Sequence, residues 1–225
     1  MRSAPRMWQK LMITTLIATA ALAATLQDRS SIVHDFKSDL PLAYDLTFTA
    51  KLPDGDSVSK ARFEIKPLRS YQNGNTDIEL HLDKVRFVEG EVEHAFKSAV
   101  FGFTLTKNGV PVDSVFDSIE SMASASLIAL FLPAKQMAEG DGFDYRYDGA
   151  SLGVRLKGRL EGFVQQNGRR LAKIVSTGTV EPKGESVAEF DLTTLYDPAA
   201  KRVVEAHAVV KLPWGDIEID LVARA

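Results

Sequence analysis

Apolar and polar residues alternate with a period of two along most of the chain after residue 43. Such alternation is typical of strands with one buried and one solvated face. In the first run, Tyr44, Leu46 and Phe48 share one face, and Pro53-Asp54-Gly55 then supplies a turn. We count ten such runs with turn residues between them, four before a central helical segment and six after it. This order predicts antiparallel neighbours.

The segment 113–135 departs from this alternation and has a helical period. Ser114 is a suitable N-cap with Asp117 three residues later, and Pro133 marks where a helix must stop. We therefore predict a helix over residues 114–132. Its apolar positions recur at spacings of three and four residues: Phe116, Ile119, Ala123, Leu127 and Leu130.

Two strand patterns contain irregularities that predict curvature. Ile78, Leu80 and Leu82 share one face, but the next apolar residues, beginning with Val85, have the opposite parity. A change of parity within one strand predicts a β-bulge, which bends and twists a sheet. Another long run places Leu152, Val154, Leu156, Leu160 and Val164 on one face. Gly153, Gly158 and Gly162 interrupt this run, and such glycines often mark a bend or a close backbone approach.

These patterns predict a mainly β fold, in which a curved antiparallel sheet or half-barrel of about ten strands wraps on helix 114–132. About ten long strands are too many to lie flat without curling. A closed barrel with the helix at its mouth is the nearest alternative. We divide the chain into a signal peptide (1–23), a leader segment (24–42) and a single β domain (43–225). In the leader, Ile32-Val33 and Phe36 predict a short strand.

The N-terminus has the pattern of a cleavable secretory signal. Arg2, Arg6 and Lys10 form a basic region, an apolar stretch follows, and Ala21-Leu22-Ala23 supplies a small-residue cleavage site. Only 16 residues separate Lys10 from Gln27, which is short for a membrane span. No cysteine follows for lipid attachment. We therefore expect a periplasmic or secreted protein that is not an integral membrane protein after cleavage.

Composition excludes several classes of function. The chain has no cysteine, so disulfides, zinc–thiolate sites and thiol nucleophiles are absent. The formal charge of −3 becomes −6 once the three basic residues of segment 1–23 are removed, which makes nucleic acid a poor partner. The densest basic residues lie on the polar side of predicted strands, where a solvated face explains them: Arg155, Lys157, Arg159, Arg169, Arg170 and Lys173.

The sequence contains no catalytic or metal motif that outweighs a structural explanation. Glu79, His81 and Asp83 alternate on one strand face near His94, but they lack the compact spacing of a zinc site. Ser151 lacks the glycine that must precede it in a nucleophile elbow. We expect no catalytic residues, no metal and no cofactor, and we do not expect an enzyme.

The apolar interior is the remaining candidate site. In the simplest interpretation its large side chains form an ordinary packed core. The alternative is a cavity between sheet and helix that takes an apolar ligand. The candidate residues are Phe48, Phe63, Phe101, Phe103, Phe116, Leu127, Leu130, Phe131 and Phe190.

In the order of its parts, the chain resembles the bacterial half-barrel lipid carriers typified by LolA and LppX. It shares a signal peptide, a long curved sheet and an apolar central helix with that family, but no diagnostic motif is matched. Leu132-Pro133-Ala134-Lys135 followed by Glu139-Gly140-Asp141 also resembles a pattern in uncharacterised secreted bacterial β proteins. The first resemblance implies a non-catalytic carrier of a lipid or acyl chain. The alternative is an interaction or scaffold domain with a sealed core that binds another envelope protein.

Overall fold

The computed structural model describes residues 29–35, 41–53, 55–89, 92–95, 97–112, 119–184, 186–213 and 215–224. The predicted signal peptide, most of the predicted leader and Phe116 lie outside the described residues. The short strand expected near Ile32-Val33 is present as β1, and it includes Ile32.

The described residues form thirteen strands and one helix. In chain order these are β1 (Ser30–Ile32), β2 (Leu42–Leu52), β3 (Gly55–Ser70), β4 (Thr76–Glu89), β5 (Val92–Ala95), β6 (Ala99–Leu105), α1 (Ile119–Ile128), β7 (Lys135–Met137), β8 (Gly142–Asp148), β9 (Leu152–Gln166), β10 (Arg169–Pro182), β11 (Ala188–Asp197), β12 (Arg202–Leu212) and β13 (Gly215–Ala223).

Eleven of these strands form one antiparallel sheet in the order β5-β4-β3-β2-β13-β12-β11-β10-β9-β8, with β6 also paired to β4. β5 pairs with residues 86–89 of β4 and β6 with residues 76–82, so the two form one interrupted edge strand. The sheet is therefore ten strands wide, and the predicted mainly β fold with one helix is confirmed. β1 and β7 form a separate two-stranded sheet.

The sheet curls until its two edges approach each other, but it does not close into a barrel. Beside the β6 edge, the main-chain N–H of Val112 donates to the carbonyl of Thr104 across 2.7 Å. From the β8 edge, the Tyr147 hydroxyl donates to the carbonyl of the same Val112, also across 2.7 Å. Because β6 and β8 do not pair with each other, the predicted open sheet is confirmed and the alternative of a closed barrel is wrong.

A bulge occurs in β4 where the change of parity predicts it. Lys60 pairs with Arg86, whereas Arg62 pairs with Asp83, so β4 contains one extra residue opposite β3. Lys84 takes up the irregularity with a φ of 53°. Val85 thereby returns to the buried face, and the predicted bulge is confirmed.

A second bulge, in β9, makes one prediction wrong. Lys173 pairs with Gly162 while Ile174 pairs with Leu160, so an extra residue lies at Glu161–Gly162. Gly162 has a φ of 149°, which favours glycine. The bulge reverses the parity of the last part of β9. Val164 is consequently exposed instead of sharing the face of Leu160.

The helix ends four residues earlier than predicted. α1 ends at Ile128, and Leu130 and Phe131 then donate to the carbonyls of Leu127 and Ile128 in tighter three-residue turns. The N–H of Leu132 leaves the helix altogether and donates to the carbonyl of Asn108 across 3.0 Å. This tertiary hydrogen bond ends the helix before Pro133 does.

The core lies between the concave face of the sheet and the α1 segment. Inward residues of every long strand belong to one buried cluster with Ala123, Leu127 and Ile128 of the helix. No helix in the described part of the chain is long and apolar enough to cross a membrane.

Candidate functional site

The concave face carries the predicted candidate residues. Phe63, Phe103 and Phe190 come from β3, β6 and β11, and all three are buried. Leu127, Leu130 and Phe131 come from the helix and its C-terminal turn and are also buried. Phe48 and Phe101 are half-buried at the margin of the same cluster. The structure thus brings together all the predicted site residues that it describes.

The end of the helix packs on two aromatic residues that are not among the predicted site residues. The ring of Phe131 lies 4.8 Å from that of Tyr145 and 5.7 Å from that of Phe143, measured between centroids. Both partners belong to β8, where aromatic and charged residues alternate. That alternation places Phe143 and Tyr145 on the concave face, so both could have been predicted as site residues from the sequence.

The helix fits closely against the sheet at its C-terminal end. The space beside Leu127 and Leu130, which His34, Tyr44 and Leu105 also line, is too small for a water molecule. A ligand can therefore reach this part of the concave face only if the α1 segment moves away from the sheet.

The opposite end of the concave face is more open. Val210 of β12 and Ile217 of β13 pair with each other and are half-buried, as is the neighbouring Phe48 of β2. Leu52, at the β2–β3 hairpin, is 40% exposed. An apolar surface on the inner side of the sheet thus continues from the dry core to solvent.

Three buried hydroxyl groups of the core region have no hydrogen-bond partner among the described residues. They belong to Ser124 of α1, Ser176 of β10 and Thr194 of β11. An unpaired buried hydroxyl costs about 1–3 kcal/mol relative to a satisfied one. The buried core therefore retains unsatisfied hydrogen-bonding groups on α1, β10 and β11.

The N-terminal segment fastens the end of the helix. The Tyr196 hydroxyl donates to the carbonyl of Val33 across 2.8 Å and also lies 3.2 Å from the carbonyl of Ser31. One residue further, His34 Nε2 donates to the carbonyl of Leu130 across 2.8 Å. Burial lowers the pKa of His34 to about 4, so the imidazole is neutral near pH 7. We call β1, β7 and residues 33–34 the clasp.

The convex face is a charged, solvated surface, as the sequence predicts. The basic residues of β9 pair with acids on the same or neighbouring strands: Arg155 with Glu181, Lys157 with Asp144, and Arg159 with Glu161. Two open clefts lie along β9, of about 710 and 420 Å³. The larger one holds Glu139 and Glu161 as well as Arg159 and Arg170, so it has no single sign of charge.

The histidine and carboxylate side chains of the described residues show no metal-binding cluster. No group of three or more His, Asp or Glu side chains among them is placed to hold a metal ion. His81 contacts Glu79 at 3.3 Å, and Glu79 in turn pairs with Lys66. Hydrogen bonding from His81 and the charge of Lys66 lower the pKa of Glu79, which suits a surface ion pair.

Neither the protein-family models nor the curated proteins contain a match to this sequence.

Proposed function

We propose that this protein is a non-catalytic, extracytoplasmic binding protein for an apolar ligand such as an acyl chain. The ligand would lie on the concave face of the sheet in place of the α1 segment. The observation that carries the proposal is the continuous apolar surface of an unclosed sheet. One end of it, at Phe48, Val210 and Ile217, is half-buried, and the other is covered by a single short helix. The extracytoplasmic location follows from the signal-like pattern of residues 1–23.

The energy of exchanging helix for ligand is of the right size for an acyl chain. Displacing Leu127, Leu130 and Phe131 exposes three apolar side chains, each contributing about 1.5–3 kcal/mol by burial. Each methylene of a ligand contributes about 0.8 kcal/mol when buried. A chain of about ten methylenes therefore offsets the burial of these three side chains.

A second candidate is an interaction or scaffold domain that binds another envelope protein through its outer surface. The close fit beside Leu127 and Leu130, which excludes water, favours it. In that case the helix never leaves the sheet. The two functions differ in one measurable property, namely whether the concave face takes up an apolar molecule.

The first test is native mass spectrometry of the protein purified from its own host compartment, followed by organic extraction. The expected result is a co-purifying mass that extracts as a lipid. A ligand-free mass, together with no uptake of added fatty acids or phospholipids, contradicts ligand binding and leaves the interaction domain as the better explanation.

A matched pair of variants tests whether the ligand lies on the concave face. Phe48→Lys puts a charge on the half-buried concave side of β2. Val222→Lys puts the same charge on the convex side of the adjacent β13, where the side chain is exposed beside Asp45 and Glu205. We expect loss of lipid uptake in Phe48→Lys and full uptake in Val222→Lys. Equal uptake by two folded variants contradicts a concave site.

A further inference from the structure

Two of the unpaired hydroxyls lie next to each other on the concave face. In the register of β10 and β11, Ile174 pairs with Thr194 and Ser176 pairs with Leu192, so Ser176 and Thr194 are diagonal neighbours. Diagonal residues are about 7–8 Å apart at the backbone, and their side chains approach more closely. Ser176 is 3% exposed and Thr194 is 1% exposed. Their flanking residues Ile174 and Leu192 belong to the core cluster, which fixes the face on which they lie.

On the two outer strands, β9 and β12, the residues opposite this pair are small. Gly158 of β9 is opposite Ser176, and Ala206 of β12 is opposite Thr194. Gly178 follows two residues after Ser176 on the same face of β10. The neighbours in register carry no charge, and the two hydroxyls have no partner in the described residues. The concave side of β10 and β11 therefore carries two unpaired hydroxyls whose neighbours on β9 and β12 are small and uncharged.

The ring of Phe143 covers Gly158, the residue opposite Ser176. A Cβ atom on Gly158 would lie 2.5 Å from the ring of Phe143, so that ring occupies the space above the glycine. Phe143 in turn packs on Phe131 at the end of the helix. Movement of the helix removes the contact that holds the Phe143 ring from above.

We propose that Ser176 and Thr194 anchor the oxygen-bearing head of the apolar ligand, and that this head is an uncharged acyl ester. Hydroxyls on two strands can both donate to the carbonyl oxygen of one ester group, because that oxygen has two lone pairs. An ionised carboxylate lacks a compensating cation at this position and is costly to bury. A pure hydrocarbon leaves both hydroxyls unpaired. This inference rests on the proposed function and names the chemical class of its ligand.

The experiment compares three probes of similar chain length, methyl decanoate, undecane and decanoate at pH 8, by displacement of a fluorescent apolar dye. The wild-type protein is expected to bind methyl decanoate at least tenfold more tightly than undecane or decanoate. Each of Ser176→Ala and Thr194→Val should weaken methyl decanoate binding about threefold to tenfold, as expected for one lost hydrogen bond. Undecane binding should remain within twofold of the wild type.

The control variant is Thr177→Val, which changes the same chemical group on the exposed convex side of β10. It should leave all three affinities unchanged. The Ser176→Ala and Thr194→Val proteins should melt no lower than the wild type, because each removes an unpaired buried hydroxyl. A loss of ester binding in these variants is then not a loss of fold.

The outcomes separate this inference from the proposed function. If the wild type binds none of the probes, the proposed function fails and the ester anchor fails with it. If the wild type binds all three probes equally, or if the two variants weaken ester and hydrocarbon alike, ligand binding stands and the ester anchor is overturned.

Discussion

His34 donates its Nε2 proton to the main-chain carbonyl of Leu130 across 2.8 Å, and so joins the N-terminal segment to the end of the helix. A Cβ atom on Gly109 would lie 2.8 Å from the same nitrogen, so the turn after β6 leaves no room beside the ring. The imidazole is enclosed between the turn after β6 and the end of the helix, both of which are distant from His34 in sequence. It is therefore sensitive both to protonation and to the position of the helix.

The buried imidazole predicts a loss of stability in acid. Because burial lowers the pKa of His34 to about 4, from an ordinary value near 6.5, the unfolded chain takes up the proton first. The contribution of His34 is fully present above pH 6.5 and is lost progressively between pH 6.5 and pH 4. The loss in the free energy of unfolding amounts to about 3 kcal/mol by pH 4.

Urea unfolding at pH 7.5 and pH 4.5 measures this effect. His34→Gln keeps a donor for the Leu130 carbonyl but does not titrate, so it should lose less stability between these two pH values than the wild type does. The loss of stability in His34→Gln is subtracted from the loss in the wild type. This difference removes the contribution of the carboxylates, which both proteins share. An equal loss in both contradicts a titrating His34.

Asn108 is expected to hold the exit of the helix. Its Nδ2 group donates to the carbonyl of Leu132 across 2.8 Å, and its own carbonyl accepts from the Leu132 N–H. Asn108→Ala leaves the Leu132 carbonyl without this donor and should lower the free energy of unfolding by about 1–3 kcal/mol. Asn73→Ala, on the exposed turn between β3 and β4, should cost less. Hydrogen exchange at Leu132 should rise only in the first variant.

Tyr196 is expected to fix the clasp. Tyr196→Phe removes the hydroxyl that contacts Ser31 and Val33 but keeps the buried ring. The expected result is faster proteolysis near residues 29–35 and a loss of about 1–2 kcal/mol of stability. Tyr71→Phe removes an exposed hydroxyl that bonds to Asp77 and serves as the control. Unchanged proteolysis in Tyr196→Phe would show that the apolar contacts of Ile32 suffice.

Gly178 is expected to tolerate no side chain. A Cβ atom there would lie 1.8 Å from the carbonyl oxygen of Arg155, a backbone atom of the paired strand. Gly178→Ala should therefore force β9 and β10 apart and cost about 3 kcal/mol, at the upper end for overpacking. Gly102→Ala in β6 has nothing within 4 Å of the added atom and should be neutral. Thermal unfolding of both variants is the measurement.

Local patterns in the sequence were sufficient to predict most of the strands and one of the bulges. The alternation of single residues gives the ten long strands, and the parity change after Leu82 gives the bulge at Lys84. The bulge at Gly162 was missed because Phe163 and Val164 are both apolar, so the sequence after the glycine does not show which of the two faces the core. The end of the helix was misplaced because a distant partner, Asn108, captures the N–H of Leu132.

The candidate site was only partly predictable for the same physical reason. Large apolar residues on a strand face identify the concave surface, so Phe63 and Phe103 were found. His34 lies in a segment without periodicity, and its burial depends on Leu130 and Gly109, which no local pattern relates to it. Ser176 and Thr194 look like ordinary small strand residues until the register places them side by side.

The pairing of β2 with β13 has a consequence for how the chain folds. β6 reaches its neighbour β4 through β5, and the other neighbours in the large sheet follow each other directly along the chain. The β2–β13 pair instead joins residues near 44–50 to residues 217–223. Two meanders, one on each side of the helix, can form from nearby contacts, but their union requires closure of a loop that spans nearly the whole domain. We expect this seam to form last and to set a slow folding rate. Until then, each half exposes an unpaired strand that another copy of the chain could capture.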